Sequence, residues 1–201
     1  MRETKIILVF GFTVLFFCLS QPMWAHPHMF IKAKHGLITN PSGVTGLQVE
    51  WEFDQVFSQQ IVMSFDTNKN DKFESEEIKA IREGAFSNLK NYHYFTYAET
   101  KQGEFPIENI QDFSARIGEN GFLYYTFTVP LHIPADTHWR EFRLLAYDDT
   151  YFVDIIFAEN YFSVQEQESL EFQYTKLKNP ERTYYFGTIV PEQIAVKVRK
   201  K

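Results

Sequence analysis

Hydrophobic and polar positions alternate along most of the chain from residue 29 onward. Met29, Ile31, Ala33 and Leu37 share one face of a first segment, and Phe30, Lys32 and Lys34 share the other. Asn40-Pro41-Ser42-Gly43 reads as a turn. Leu47, Val49, Trp51 and Phe53 then alternate with Gln48, Glu50 and Glu52, the pattern of a half-buried strand. The two segments predict a β-hairpin. After Asp54, a suitable N-cap, the period changes, and Phe57, Ile61 and Phe65 recur every fourth residue. Ile78, Ile81, Ala85 and Leu89 mark a second helix that Ser75 can cap. Alternation returns beyond His93. Candidate strands are Tyr94 to Glu99, Phe113 to Ile117, Leu123 to Val129, Leu170 to Tyr174 and Ile194 to Val198. Pro130 and Pro134 bracket a predicted loop holding His132. Trp139 to Tyr147 and Tyr151 to Phe157 read as a second hairpin tipped by Asp148-Asp149-Thr150.

Short strands repeated in this way, with one helical interruption, predict an α+β fold. It is mainly an antiparallel β-sandwich, with a helical hairpin inserted at about residues 54–90. An aromatic content of 17% agrees with a well-filled core. The first 25 residues read differently. A basic start at Arg2 and Lys5, an apolar run from Ile6 to Phe17 and a small residue at Ala25 have the order of a secretory signal peptide. The apolar run is short for a bilayer span of about 20 residues. Cleavage after Ala25 leaves 26–201 as a single soluble domain with 18 basic and 25 acidic residues, a net charge of −7. That domain contains no cysteine, which excludes disulfides and thiolate metal sites. The acidic balance excludes a basic nucleic-acid surface. A periplasmic location is the expectation.

The candidate chemistry lies between the two helices. Oxygen-bearing side chains fall at positions one, three, five, nine and twelve of the segment Asp66 to Glu77, the spacing of an EF-hand calcium loop. Ca²⁺ takes six to eight oxygens, and a tight loop supplies them only when alternate side chains turn inward. Asp66, Asn68 and Asn70 would bind through side chains, Lys72 through its carbonyl, Glu74 directly or through water, and Glu77 as the closing carboxylate. Position six, normally glycine, is Asp71, which must then adopt a positive φ. With few acids and with Lys69 and Lys72 nearby, the expected affinity is weak, roughly 10⁻⁴ to 10⁻³ M. A single loop favours a structural site over a paired sensor. Read without metal, the segment is a polar turn between helices.

A second candidate is the new N-terminus. His26 would offer its amine and ring nitrogen, and His28 a further imidazole, a donor set suited to Ni, Co, Cu or Zn. His35 falls on the apolar face with Ile31 and Leu37 and reads as a core histidine, though it is a possible third ligand. Asp148 is another candidate ligand if the fold brings it round. His93, His132 and His138 are dispersed and would have to approach His26 for a copper-type histidine brace. No serine sits in a nucleophile elbow, and no glycine-rich phosphate loop is present. Glu50 and Glu52 share a strand face and read as surface carboxylates.

Several of these segments together resemble a known family. They are His26-Pro27-His28 after a leader, Trp51-Glu52-Phe53-Asp54, Phe57-Ser58, the calcium-like loop, Tyr94-Phe95-Thr96 and the stretch Tyr147 to Phe152. The chain resembles uncharacterised exported bacterial proteins labelled periplasmic components of a transport system, often found beside nickel/cobalt-type permeases. The resemblance spans roughly His26 to Asn160. It implies a non-enzymatic role in periplasmic metal handling, with a membrane metal permease as partner. The alternatives are a calcium-stabilised protein-binding module without transition metal, and a histidine-brace copper enzyme.

Overall fold

The computed structural model describes residues 27–165 and 167–201. The expected leader and His26 lie outside the described residues. Strands β1 (Met29–Asn40) and β2 (Gly43–Phe53) form the expected antiparallel hairpin, paired from Ile31 with Phe53 to Asn40 with Gly43. Gly43 closes it at φ +142°, where a Cβ would lie 2.2 Å from the Ile133 carbonyl oxygen, so only glycine fits.

Helix α1 (Gln55–Phe65) follows directly, and Asp54 caps it as predicted. One Asp54 carboxylate oxygen accepts the Phe57 N–H at 3.0 Å, and the other accepts the Phe30 N–H at 2.8 Å. Ser58, fully buried, donates to the Asp54 carbonyl at 2.6 Å and accepts the Leu123 N–H at 2.9 Å. Helix α2 (Ser75–Ile81) departs from the prediction in two ways. Its N-cap is Glu74, and Ser75 is its first helical residue. It also does not run on to Leu89. Arg82–Phe86 is π-helical, and Ser87–Phe95 is 3₁₀-helical up to a kink. His93, Tyr94 and Phe95 have φ of +53°, +50° and +47°, so the predicted strand starts only at Thr96.

The remaining strands are β3 (Thr96–Thr100), β4 (Gly103–Phe105), β5 (Gln111–Ile117), β6 (Leu123–Pro134), β7 (Arg140–Ala146), β8 (Val153–Val164), β9 (Leu170–Lys178) and β10 (Glu192–Lys200). They form two five-stranded sheets, β5-β6-β2-β1-β8 and β4-β3-β7-β10-β9. The described chain is therefore mostly β with few helices. Among the described residues the paired strands run antiparallel except β1 with β8, which is parallel. Two expectations are corrected. His132 lies within β6, because β5 ends opposite Thr128 and the prolines beyond it cost no ladder bond on that side. The second hairpin does not exist. β7 and β8 belong to different sheets, and Asp148–Phe152 is a crossing between them.

One buried cluster draws on both sheets, from Ile31, Val49 and Trp51 of the first to Phe142, Leu144 and Val196 of the second. Trp51 is its hub, with the rings of Phe53, Phe86, Phe95 and Phe127 centred 4.9 to 6.1 Å away. Helix α1 lies against β6, and α2 against β5.

His35 points into this core. Neither ring nitrogen has a hydrogen-bond partner among the described residues, and the ring meets Phe157 edge-on at 5.1 Å. Burial lowers its pKa from 6.5 to about 3. The folded state therefore holds His35 neutral, while the unfolded chain takes up a proton below pH 6.5. Its contribution to stability is intact above 6.5 and is lost as pH falls toward 3, by about 1.4 kcal/mol per pH unit. His35→Leu should flatten the fall in melting temperature between pH 6.5 and pH 4 relative to the unmodified protein. Parallel pH profiles for the two proteins would refute this.

Candidate cation loop and the histidine end

The loop between α1 and α2 is shaped by its own side chains. Asp66, the C-cap of α1, accepts the N–H groups of Asn70 at 3.2 Å and Asp71 at 3.0 Å. Asn68 accepts the Asn70 N–H at 3.1 Å, and Asn70 accepts the Lys72 N–H at 2.9 Å. Lys69 and Asp71 sit at φ +58° and +59°. The positive φ expected at Asp71 is thus present. Phe73 packs against the core and anchors the loop from below.

Glu77 closes the segment from the first turn of α2. Its side chain is buried, as is that of Asp66. One oxygen accepts both the N–H and the hydroxyl of Thr67 at 2.8 Å, and the other accepts the Glu74 N–H at 3.1 Å. Hydrogen bonding with the Glu74 side chain, then with the Thr67 hydroxyl and the Glu74 and Thr67 N–H groups, holds its carboxyl down at about 2. Glu74 itself is turned toward the amides of Asn68, at 3.1 Å, and Asn70, at 2.7 Å.

These bonds decide what the loop offers. Among the described residues no three His, Cys, Asp or Glu side chains gather into a metal-holding group, and the three loop acids follow that rule. Glu77 is engaged by Thr67 and Glu74, and Glu74 also reaches the two amides, so these acids are occupied by partners within the loop. The donor chemistry nevertheless fits a hard cation. Asp66, Asn68, Asn70, Glu74 and Glu77 carry side-chain oxygens, Lys72 adds a carbonyl, and the side chains of two of these carboxylates are already buried. Thr67 was not singled out by spacing, since it has no place among the ligand positions.

At the start of β1, the His28 N–H donates to the Phe152 carbonyl at 2.9 Å, and its ring lies 4.8 Å from that of Phe152. The fold therefore brings His28 to the Asp148–Val153 crossing. Asp148 is buried rather than solvated. It accepts the Thr150 N–H at 3.0 Å, the Thr150 hydroxyl at 2.8 Å and the Val153 N–H at 3.0 Å, so it organises the turn. His35 is seven residues along β1 from His28, about 23 Å at strand rise, and cannot join it. His132 and His138 line a common hollow near the other end of β1, where Asn40 pairs with Gly43 and Gly43 with Pro134. His93 lies in the left-handed turn, its ring 5.7 Å from Tyr97. Glu50 and Glu52 are paired with Lys34 at 3.0 Å and Lys32 at 3.1 Å, and Glu52 also accepts from Tyr124 at 2.6 Å. That is a surface charge ladder.

The left-handed conformation at Asp71 gives a direct test of the loop geometry. Asp71→Gly should leave stability unchanged or slightly raised. Asp71→Ala should lose about 1 kcal/mol in denaturant unfolding. Equal midpoints for the two variants would mean that this residue is not left-handed.

Comparison with known proteins agrees with an uncharacterised lineage. The chain is 30% identical over 132 residues to the "Uncharacterized 15.5 kDa protein in trpE 3'region" of Spirochaeta aurantia, a match covering 65% of this chain and 93% of that protein. It is 28% identical over 141 residues to an uncharacterized protein of Haemophilus influenzae strain Rd, covering 70% of this chain and 66% of that one. Residues 11–186 match the pattern of a family described as protein of unknown function (DUF1007). The chain belongs to the DUF1007 family.

Proposed function

We propose that this protein is an exported, non-enzymatic metal-binding accessory protein of the periplasm. In this reading the two sheets stack as a β-sandwich scaffold. The loop Asp66 to Glu77 takes Ca²⁺ as a structural brace for the helix pair. His26 and His28 present nitrogen ligands for Ni, Co, Cu or Zn, for exchange with a membrane metal permease. The observation that carries it is the loop. It joins two helices, both of its end carboxylates are buried, its backbone is left-handed at the fourth and sixth positions, and it presents an all-oxygen donor set. Bound Ca²⁺ would supply the positive charge that Asp66 and Glu77 otherwise obtain from N–H and hydroxyl donors.

The transition-metal part rests on the resemblance and on where β1 begins. His28 stands at an exposed strand end beside the crossing of the two sheets. An open, nitrogen-rich end permits exchange, unlike a closed structural site. A second reading, a calcium-stabilised binding module without transition metal, is favoured by Asp148. Its oxygens are engaged by Thr150 and Val153, and His28 packs on Phe152.

Millimolar calcium separates loop binding from a bare turn. At 10 mM Ca²⁺ and the affinity expected of such loops, stability should rise by about 1.4 to 2.7 kcal/mol, seen as a shift of several degrees in melting temperature. Glu77→Gln should abolish the shift, and an equal shift in that variant would locate the calcium elsewhere.

For the histidine end, the processed protein is first shown by mass spectrometry to begin at His26. Titration with Ni²⁺, Co²⁺, Cu²⁺ and Zn²⁺ should then give saturable binding to at least one. His26→Ala and His28→Ala should each weaken that binding by about tenfold or more. Unchanged binding in both variants selects the second reading.

A further inference from the structure

Asparagine is followed directly by glycine once in the chain, at Asn120-Gly121. The pair forms the tip of the turn between β5 and β6, just beyond the closing partners Ile117 and Leu123. It carries a reactivity of its own. The Gly121 amide nitrogen, once deprotonated, can attack the side-chain carbonyl carbon of Asn120. A new C–N bond closes a five-membered succinimide, and the bond to the side-chain nitrogen breaks to release ammonia. Water then opens the ring at either carbonyl and leaves aspartate or isoaspartate. No oxidant, reductant or cofactor enters. Glycine is the neighbour that favours the attack, because it has no Cβ to hinder the approach and the widest choice of backbone angles.

The fold restrains both reacting groups. The Gly121 N–H donates to the Gly118 carbonyl at 2.9 Å, which ties the nucleophile into the turn. Asn120 Oδ1 accepts the Phe122 N–H at 3.1 Å, and its Nδ2 donates to the Tyr124 hydroxyl at 3.0 Å. Tyr124 is itself fixed. Its hydroxyl donates to Glu52 at 2.6 Å, and the Arg116 guanidinium lies 4.0 Å from the centre of its ring. Gly118 leaves room for this closure, since a Cβ there would meet the Tyr124 ring at 2.5 Å and Asn120 Oδ1 at 2.7 Å. An exposed asparagine thus has both ends of its carboxamide held, one of them by a buried tyrosine.

We propose that Asn120 is a site of spontaneous deamidation, whose rate is set by release of its carboxamide from Tyr124 and of the Gly121 N–H from the turn. The reaction is intramolecular up to the succinimide and then needs only water. The tip is open to that water, for Gly121 is exposed and has nothing within 4 Å of where a Cβ would lie. Conversion replaces the Nδ2 donor by a carboxylate oxygen. A second acid then faces the hydroxyl that already serves Glu52. Isoaspartate also lengthens the main chain within the 118–121 turn. The tip therefore converts slowly while closed and stays disturbed once converted. This site is independent of the metal reading.

The protein is incubated at mildly alkaline pH, both folded and in concentrated urea. Trypsin then releases the peptide Ile117–Arg140, which contains no other asparagine, for mass spectrometry. Exchange of the side-chain NH₂ for OH should appear at Asn120 in urea, and several-fold more slowly in the folded protein. Tyr124→Phe keeps the ring and loses the hydroxyl. It should speed conversion of the folded protein about fivefold, the equivalent of one net hydrogen bond of about 1 kcal/mol, and leave the rate in urea unchanged. Gly121→Ala should slow conversion in urea several-fold. Melting curves establish that each variant is folded before its rate is measured. Equal rates for the folded and unfolded chain, an unaltered folded rate in Tyr124→Phe, or an undiminished rate for Gly121→Ala in urea would each overturn the proposal.

Discussion

The corner at Asp54 and Ser58 is the constraint on which the arrangement depends. A strand that turns straight into a helix leaves N–H groups at the helix start without partners. Here Asp54 serves one such group, the Phe57 N–H in its own helix, and with its other carboxylate oxygen the Phe30 N–H at the start of β1. Four residues on, the buried Ser58 hydroxyl donates to the Asp54 carbonyl and accepts from Leu123 at the start of β6. Three segments far apart in sequence are thereby fixed to one point. Without it α1 would have no defined angle to the sheet, and the loop after α1 would have no defined place. The Phe53 and Phe57 rings, centred 4.8 Å apart, add apolar contact to the same corner. This gives a physical reason for Trp-x-Phe-Asp followed by Phe-Ser. The residues are structural, and the serine is a clamp rather than a nucleophile.

The loop downstream is built on the same economy of donors. Its end carboxylates, Asp66 and Glu77, are buried without a cationic partner at hydrogen-bond distance among the described residues, so backbone N–H groups and the Thr67 hydroxyl take the place of a cation. Burying a carboxylate is costly unless charge-assisted hydrogen bonds offset it. Glu77 accepts three such bonds and keeps its charge even in acid. The arrangement stands by itself, which suits a brace that gains from a cation but does not collapse without one. Glu74 is the residue whose position decides ligation. It is held by the amide nitrogens of Asn68 and Asn70, whose oxygens accept the Asn70 and Lys72 N–H groups.

Much of this was legible in the sequence because it is local. Alternation gave β1 and β2, a change of period gave α1, and Asp54 announced its cap. The Asx pattern of the loop required a positive φ at Asp71, and φ is +59° there. What was not legible depends on partners far along the chain. A tight Asp-Asp-Thr turn between two apolar runs is the signal of a hairpin, yet Asp148 uses its side chain to redirect the chain into the other sheet. Pro130 and Pro134 break a strand only where a neighbour needs their N–H, and β5 has already ended. His35 read as a core histidine, and its two nitrogens have no hydrogen-bond partner among the described residues. Trp51 and Tyr125 read as ordinary core residues, because spacing says nothing about whether a buried polar atom finds a partner.

The left-handed run at His93, Tyr94 and Phe95 joins these themes. Each such residue costs roughly 1–2 kcal/mol relative to an ordinary conformation, so three in succession persist only under strong restraint. The restraint is visible. Tyr94 stacks on Phe86 at 5.4 Å, Phe95 lies 6.0 Å from Trp51, and the carbonyls of Tyr94 and Phe95 accept from the Thr96 hydroxyl and the Tyr147 N–H. The strain therefore sits where the helical insertion rejoins the second sheet, and it is opposed by the aromatic hub of the core. A change in the angle between α1 and α2 would be felt first here, through Phe86 and Leu89, before it reached either sheet. The helix pair is thus held between a clamp at Asp54 and Ser58 and a tensioned turn at His93 to Phe95, with the oxygen-lined loop at its free end. A cation bound at that free end would act on a segment that is anchored at both roots and stressed at one.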